Sequence, residues 1–300
     1  MRRFLALSTC GLVMLAPETV VVPTPHLLAS APAFTSIDVP GGVRTGGPNS
    51  WLGTDARGDI VGAYRTLETA GTKTHGFLLR NDEYVSFDHP GSTGQTFANG
   101  INPEGDIAGA YFAGLFAHSY LLTKGSFASF DPPGALISFA LGVNARGQIV
   151  GAYNSASTNI FTGTRGYLLT EGEFTTITVP GTVYTWAAGI NSQVTIVGRY
   201  QSSDGTVHGY VLHHDVLAPI DFPRSLYTDG RAINARGDVV GTYQSTDARF
   251  HAFLLSADGF TSIDYPGATA TYGQGINDQG AIVGSYMSAD GTFHGYLVTF

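Results

Sequence analysis

The segment IVGAY at 60–64 returns as IAGAY at 107–111, IVGAY at 149–153, IVGRY at 196–200, VVGTY at 239–243 and IVGSY at 282–286. Its tyrosines stand at 64, 111, 153, 200, 243 and 286, at intervals of 47, 42, 47, 43 and 43 residues. Three further runs recur around it. Ahead lies a segment such as GINPEGD (100–106), GVNARGQ (142–148), AINARGD (232–238) or GINDQGA (275–281). Behind lies HGFLL (75–79), HSYLL (118–122), RGYLL (165–169), HGYVL (208–212), HAFLL (251–255) or HGYLV (294–298). Then follows a run such as FTSIDVPG (34–41), YVSFDHPG (84–91) or FTSIDYPG (260–267). Each unit therefore holds four short runs rich in β-branched and aromatic residues, punctuated by Gly, Pro, Asn and Asp. Four strands in a unit of this length, written six times, specify an all-β six-bladed β-propeller with four antiparallel strands per blade. Solenoids use shorter or helical repeats, and no run here has a helical period.

The chain ends add an independent argument. The first repeated run is FTSID at 34–38 and the last is HGYLV at 294–298, so the sixth blade lacks its fourth strand. The N-terminal strand is expected to supply it by pairing with the C-terminal strand, closing the ring and hiding both sheet edges. Within a blade we name the strands a (GIN), b (IVGxY), c (HGFLL) and d (FTSID), with a innermost because the closing strand is outermost. The propeller occupies 34–300.

Residues 1–33 read as a signal peptide and leader. Arg2 and Arg3 precede an apolar run, Phe4 to Ala16, too short to span a bilayer, and Ala31-Pro32-Ala33 offers small residues at a cleavage site. The expected location is outside the cell or in the periplasm. The single cysteine, Cys10, falls in this leader. Lysine occurs only at 73 and 124 and the net charge is −8, so the clustered basic surface that nucleic acid requires is absent.

Repeats reading GINxxGxIVGxY followed by HGFLL or HAFLL resemble the HAF-repeat family of extracellular bacterial proteins, over essentially all of 34–300. The resemblance implies export and a repeat fold. It implies no particular activity, and so no catalytic residues.

Histidine opens strand c at 75, 118, 208, 251 and 294, and aspartate ends strand d at 88, 131, 221, 264 and 38. Within a blade the separation is always 13, as from His75 to Asp88. A tight turn at 81–82 sets these positions opposite one another across the hairpin. The third blade has Arg165 and Thr178 and so loses both partners together. Residues that appear and vanish as a pair are expected to be structural His–Asp hydrogen-bonded pairs, since a catalytic dyad needs one special copy.

A second ring is Asp55, Asn102, Asn144, Asn191, Asn234 and Asn277, each ending strand a. Asn or Asp followed three residues later by Gly is what a type I turn with a bulge demands. The alternative is a ring of axial oxygens around Ca²⁺, though one carboxylate among six complements the ion's charge poorly. No other cofactor is indicated.

The d-to-a connections enter at the opposite end of the ring, where Trp51, Phe97, Phe139, Trp186 and Tyr272 gather, with Asp229 in the remaining blade. Both tryptophans are expected to stand at this rim. The b-to-c loops open on the same end, and those at 65–74 and 154–164 are long. Loops on a rigid scaffold are where binding residues collect. Two classes of function follow. One is a secreted binding module, expected as a monomer, that presents the aromatic rim to a carbohydrate or an extracellular protein. The other is a metal-assisted lactonase-like hydrolase or lyase using the axial channel. No P-loop, dinucleotide fingerprint, HExxH or GxSxG occurs. Strand a offers only Asp55 and Asp229 as acids, at opposite ends, which favours the binding module.

Overall fold

A computed structural model describes residues 31–69 and 71–300; residues 1–30, which carry Cys10 and most of the expected leader, lie outside the described residues. The described chain forms six antiparallel sheets, each running a-b-c-d, arranged as a six-bladed propeller. The second blade shows the pattern: Thr96–Ile101, Ile107–Ala113, Phe116–Thr123 and Ser126–Phe130. The sixth blade takes its outermost strand from the start of the chain. Ala33–Ile37 pairs antiparallel with Phe293–Thr299, setting Phe34 opposite Val298 and Ile37 opposite Gly295. Ring closure thus rests on the strand the sequence left over.

Local chemistry explains the hairpins. The c-to-d connection of the first blade is Asn81-Asp82, both at positive φ (50° and 63°), and His214-Asp215 repeats this in the fourth (46° and 64°). Paired left-handed residues make the turn whose twist matches the flanking strands. Opposite that turn geometry, Gly76 faces Phe87, so His75 and Asp88 come together at the far end of the hairpin.

Blades pack through strand b. A β-bulge in strand a, as between Ala140 and Gly142, pushes its backbone toward strand b. A Cβ on Gly151, the glycine of IVGAY, would run into the carbonyl oxygen of Phe139 and the ring of Tyr167. The same glycine recurs in all six copies of that run because a strand-c aromatic occupies its side-chain space in every blade, joined by a strand-a carbonyl in five of them and by Leu52 in the first. The strand-c rings Phe77, Tyr120, Tyr167, Tyr210, Phe253 and Tyr296 are fully buried and form the core of each blade. Tyr120 and Tyr210 donate their hydroxyls to the strand-a carbonyls of Phe97 and Trp186, each at 2.9 Å. The phenol therefore satisfies a carbonyl that the bulge would otherwise strand in the interior.

Candidate binding pocket on the upper face

The two ends of the ring differ. At the lower end, each strand-a Asn organises its own turn. Asn144 Oδ1 accepts the backbone N–H groups of Arg146 (3.0 Å) and Gln148 (3.1 Å), and Gly147 sits at φ 72°. Its Nδ2 reaches the next blade and donates to the carbonyl of Asn191 at 3.0 Å. The same bond runs from Asn102 to Asn144, from Asn191 to Asn234, from Asn234 to Asn277 and from Asn277 to Asp55. These five bonds form a belt around the axis. Asp55 has no amide to continue it, and its Oδ2 instead accepts from Arg57 at 2.9 and 3.1 Å. All six residues are buried, and their Oδ1 atoms are spent on turn N–H groups. Among the described residues no cluster of three or more His, Cys, Asp or Glu side chains is placed to hold a metal ion.

The His–Asp positions are brought together in all five blades that carry them. Nδ1 of His75, His118, His208, His251 and His294 lies 2.7–3.1 Å from Asp88, Asp131, Asp221, Asp264 and Asp38. Each imidazole also packs on the tyrosine of strand b, as His251 does on Tyr243 with centroids 5.1 Å apart. The pair ties strands b, c and d at the outer part of each blade, well away from the axis.

The upper end is where the repeat breaks. In the second blade three residues, 97–99, lie between Thr96, opposite Tyr111, and Gly100, opposite Ala108. In the first blade seven residues, 46–52, lie between Thr45, opposite Tyr64, and Gly53, opposite Val61. Strand a is thereby split into Arg44–Thr45 and Gly53–Thr54, and the excursion lies over the axis. Two blades hold it there. Gln274 Nε2 donates to the carbonyls of Gly47 (2.9 Å) and Ser50 (2.8 Å), and Arg231 Nη2 to that of Pro48 (2.9 Å). Gln274 and Arg231 are the bulge residues of their strands, which is why they turn inward rather than into a blade core.

This corrects the expected place of Trp51. It stands in the inserted loop, while the register position of Phe97 is taken in the first blade by Gly46, whose N–H bonds to Ala63. Trp51 reaches the aromatic group by crossing the axis. Its ring lies near-parallel to Trp186 (centroids 6.0 Å apart, 10° between planes), and Phe139 continues the series at 6.2 Å and 15°. Neither tryptophan stands open at a rim, for Trp51 is 6% exposed and Trp186 3%. Trp51 instead separates an upper pocket of about 490 Å³ from a small axial cavity of about 80 Å³ below it.

Trp51, Phe97, Phe139 and Trp186 all line the upper pocket; Asp229 and Tyr272 do not. Tyr272 packs on Phe250 with centroids 5.5 Å apart. Asp229 is buried beneath the site, its Oδ2 shared by Arg199 Nη1 and Arg231 Nε. Burial opposes the charge on Arg199, but Asp229 and the phenols of Tyr227 and Tyr184 more than offset it and hold its pKa above the ordinary value. The two guanidiniums stack behind the pocket floor, Arg199 over Trp186 at 4.6 Å and Arg231 over Trp51 at 4.8 Å. Such stacking fixes the indoles from below.

The more open part of the wall comes from half-buried Phe97, Phe112, Phe139 and Phe293, with Leu115 at the tip of the second blade's hairpin. The long loop of the third blade adds Thr158 and Ile160. It is held by Asn154, whose Nδ2 donates to the carbonyls of Asn159 and Thr162. Arg44, Arg65, Gln95, Asn99, Asn49 and Ser50 supply polar groups. Phe112, Phe293, Arg44 and Arg65 were not singled out from the sequence. For Phe112, Arg44 and Arg65 the signal is the pair of opposed positions at the upper ends of strands a and b in each copy, where the first blade alone is charged; Phe293, at the start of a strand c, carries no such signal. No carboxylate, imidazole or thiol lines the pocket among the described residues.

No family model matches the chain, and no curated protein sequence matches it. Solved structures do. A triple arginine-to-alanine mutant of AofleA from Arthrobotrys oligospora superposes with TM-score 0.54 at 13% identity, covering 90% of this chain and 88% of that one. The fucose-specific lectin from Aleuria aurantia superposes with TM-score 0.50 at 13% identity, covering 92% and 96%. TolB from Acinetobacter baumannii gives TM-score 0.52 at 13% identity, covering 80% of this chain and 63% of that one. At these identities the likeness is one of fold. The chain is a six-bladed β-propeller similar in architecture to lectin propellers.

Proposed function

We propose that this propeller is an exported saccharide-binding module that takes its ligand in the upper-face pocket. The observation that carries this is the wall itself: a concave site of about 490 Å³ built from aromatic rings with a few amide, hydroxyl and guanidinium groups among them. Its size falls in the range of small-ligand sites, roughly 300–1,000 Å³, and its concavity suits a short oligosaccharide better than a flat protein surface. Apolar C–H faces of a sugar ring pack on phenyl rings, while its hydroxyls need the scattered polar groups. Without a group that titrates near neutrality or a nucleophile with a base beside it, the lining supports binding rather than chemistry. The fucose-specific lectin among the structural neighbours supports the same reading. Export rests on the leader sequence, with Arg2 and Arg3 ahead of Phe4 to Ala16.

The test is a glycan array probed with the labelled mature propeller and with its Phe97→Ala/Phe139→Ala double variant. One saccharide class is expected to bind the native protein, with affinity at least about tenfold lower in the variant, as for loss of a buried aromatic contact. Binding unchanged in the variant would move the site elsewhere. Binding of no saccharide, in a protein shown to be folded, would overturn the proposal.

A further inference from the structure

Resting on that reading, we infer that the saccharide is an acidic one, held through its anionic group by the Arg44–Arg65 pair. These two residues are directly opposed across strands a and b of the first blade, and both line the pocket. Like charges at opposed positions of a sheet destabilise it. Among the described residues neither arginine has a carboxylate partner. Arg44 is held in place, its Nε donating to Gly46 at 2.9 Å and its guanidinium lying over the Phe293 ring at 4.6 Å. Burial, and then the charge on Arg65, pull its pKa below the ordinary value, so the site bears a standing electrostatic cost.

The repeat provides an internal control. At the same two register positions the other blades carry Gln95 and Phe112, Ile137 and Asn154, Tyr184 and Gln201, Tyr227 and Gln244, and Ala270 and Met287. None is charged, so the blade does not need an arginine at either place. Beneath the floor, Arg199 and Arg231 share the single carboxylate of Asp229, leaving a further positive charge behind the indoles. The chain's net charge is −8, yet these groups give the pocket the opposite sign. An oxyanion placed between two guanidiniums forms charge-assisted hydrogen bonds of the strongest kind available to a protein surface. A uronate carboxylate and a sulfate ester share that chemistry.

Isothermal titration with four probes tests this: trigalacturonic acid, its methyl ester, a neutral galactose trisaccharide and a sulfated galactose oligomer. The proteins are the native propeller, Arg65→Gln and Arg44→Gln. Glutamine already stands at these positions in other blades, as Gln201 and Gln95, so both variants are expected to fold. The native protein should bind one anionic probe at least about tenfold more tightly than the neutral ones, and each variant should lose that preference. A preference for the acid over its ester assigns a carboxylate; tight binding of the sulfated oligomer alone assigns a sulfate ester. Equal affinity for charged and neutral probes, or an anionic preference that survives in both variants, overturns the inference and leaves the saccharide site standing. Failure of all four probes, with the array also blank, overturns both.

Discussion

The lower end of the ring is regular and self-satisfied; the upper end is irregular and open. Below, the Asn belt repeats one arrangement from blade to blade, each amide spending its oxygen on its own turn and its nitrogen on the next blade. Above, the equivalent ends of strands a and b vary from copy to copy, only the fourth and fifth blades sharing a Tyr and Gln pair, one blade inserts a loop, and the apolar tips Leu67, Leu115, Phe161 and Leu226 stand exposed. Large exposed apolar side chains concentrated on one face mark an interaction surface. In a repeat protein, what recurs holds the ring together, and what fails to recur is free to serve something else. The first blade concentrates the departures: the loop 46–52, the Arg44–Arg65 pair and the aspartate that interrupts the belt all belong to it.

If that division is right, substitutions at the lower end and in the outer blade change stability without changing binding. The largest effect is expected for Asn144→Ala, which strands two turn N–H groups and removes an inter-blade bond; it should cost roughly 2–4 kcal/mol in urea denaturation. Ligand affinity of the folded fraction should stay within about twofold. A stable Asn144→Ala propeller with lost binding would erase the contrast between the two ends.

His208→Ala sits in the middle of the scale. The pair with Asp221 is partly exposed (side chains 25% and 39%), so its removal should cost only about 1 kcal/mol, seen as a lowered Tm. Binding should be untouched, and loss of ligand affinity in a fully folded variant would contradict a structural role.

The smallest effect has the opposite sign. The fourth blade places Val194 at φ 61° where the other blades have glycine in the same turn. A β-branched residue is strained there by about 1–2 kcal/mol, of which glycine's greater entropy in the unfolded chain takes back roughly half. Val194→Gly should therefore stabilise the propeller by about 0.5–1 kcal/mol, read from the urea midpoint. A destabilised Val194→Gly would mean that packing of the valine outweighs its backbone strain.

The architecture could be read from the sequence because it is carried by local signals that repeat. Asn at the end of strand a, Gly three residues on, and the fixed separation of His75 from Asp88 are set by turn and hairpin geometry alone. The closing strand was legible because a ring must hide its edges. The pocket was legible only in outline. Phe97, Phe139 and Trp186 follow from the register of strand a, but Trp51 reaches them through an insertion whose path is fixed by Gln274 and Arg231, remote in sequence. The burial of Asp229 was hidden for a similar reason. Its partners Arg199 and Arg231 are distinguished from ordinary surface arginines only by a bulge and by the indoles stacked on them.

The measurement that tests the account most directly is intrinsic tryptophan fluorescence of the propeller, titrated with the saccharide selected on the array. The chain has two tryptophans, and both Trp51 and Trp186 line the pocket. A saturable change in intensity or emission maximum is predicted, shifted to at least about tenfold higher saccharide concentration in the Phe97→Ala/Phe139→Ala variant and preserved in Asn144→Ala. A saccharide that binds by calorimetry while leaving the fluorescence of both tryptophans unchanged would show that the upper-face pocket is not its site.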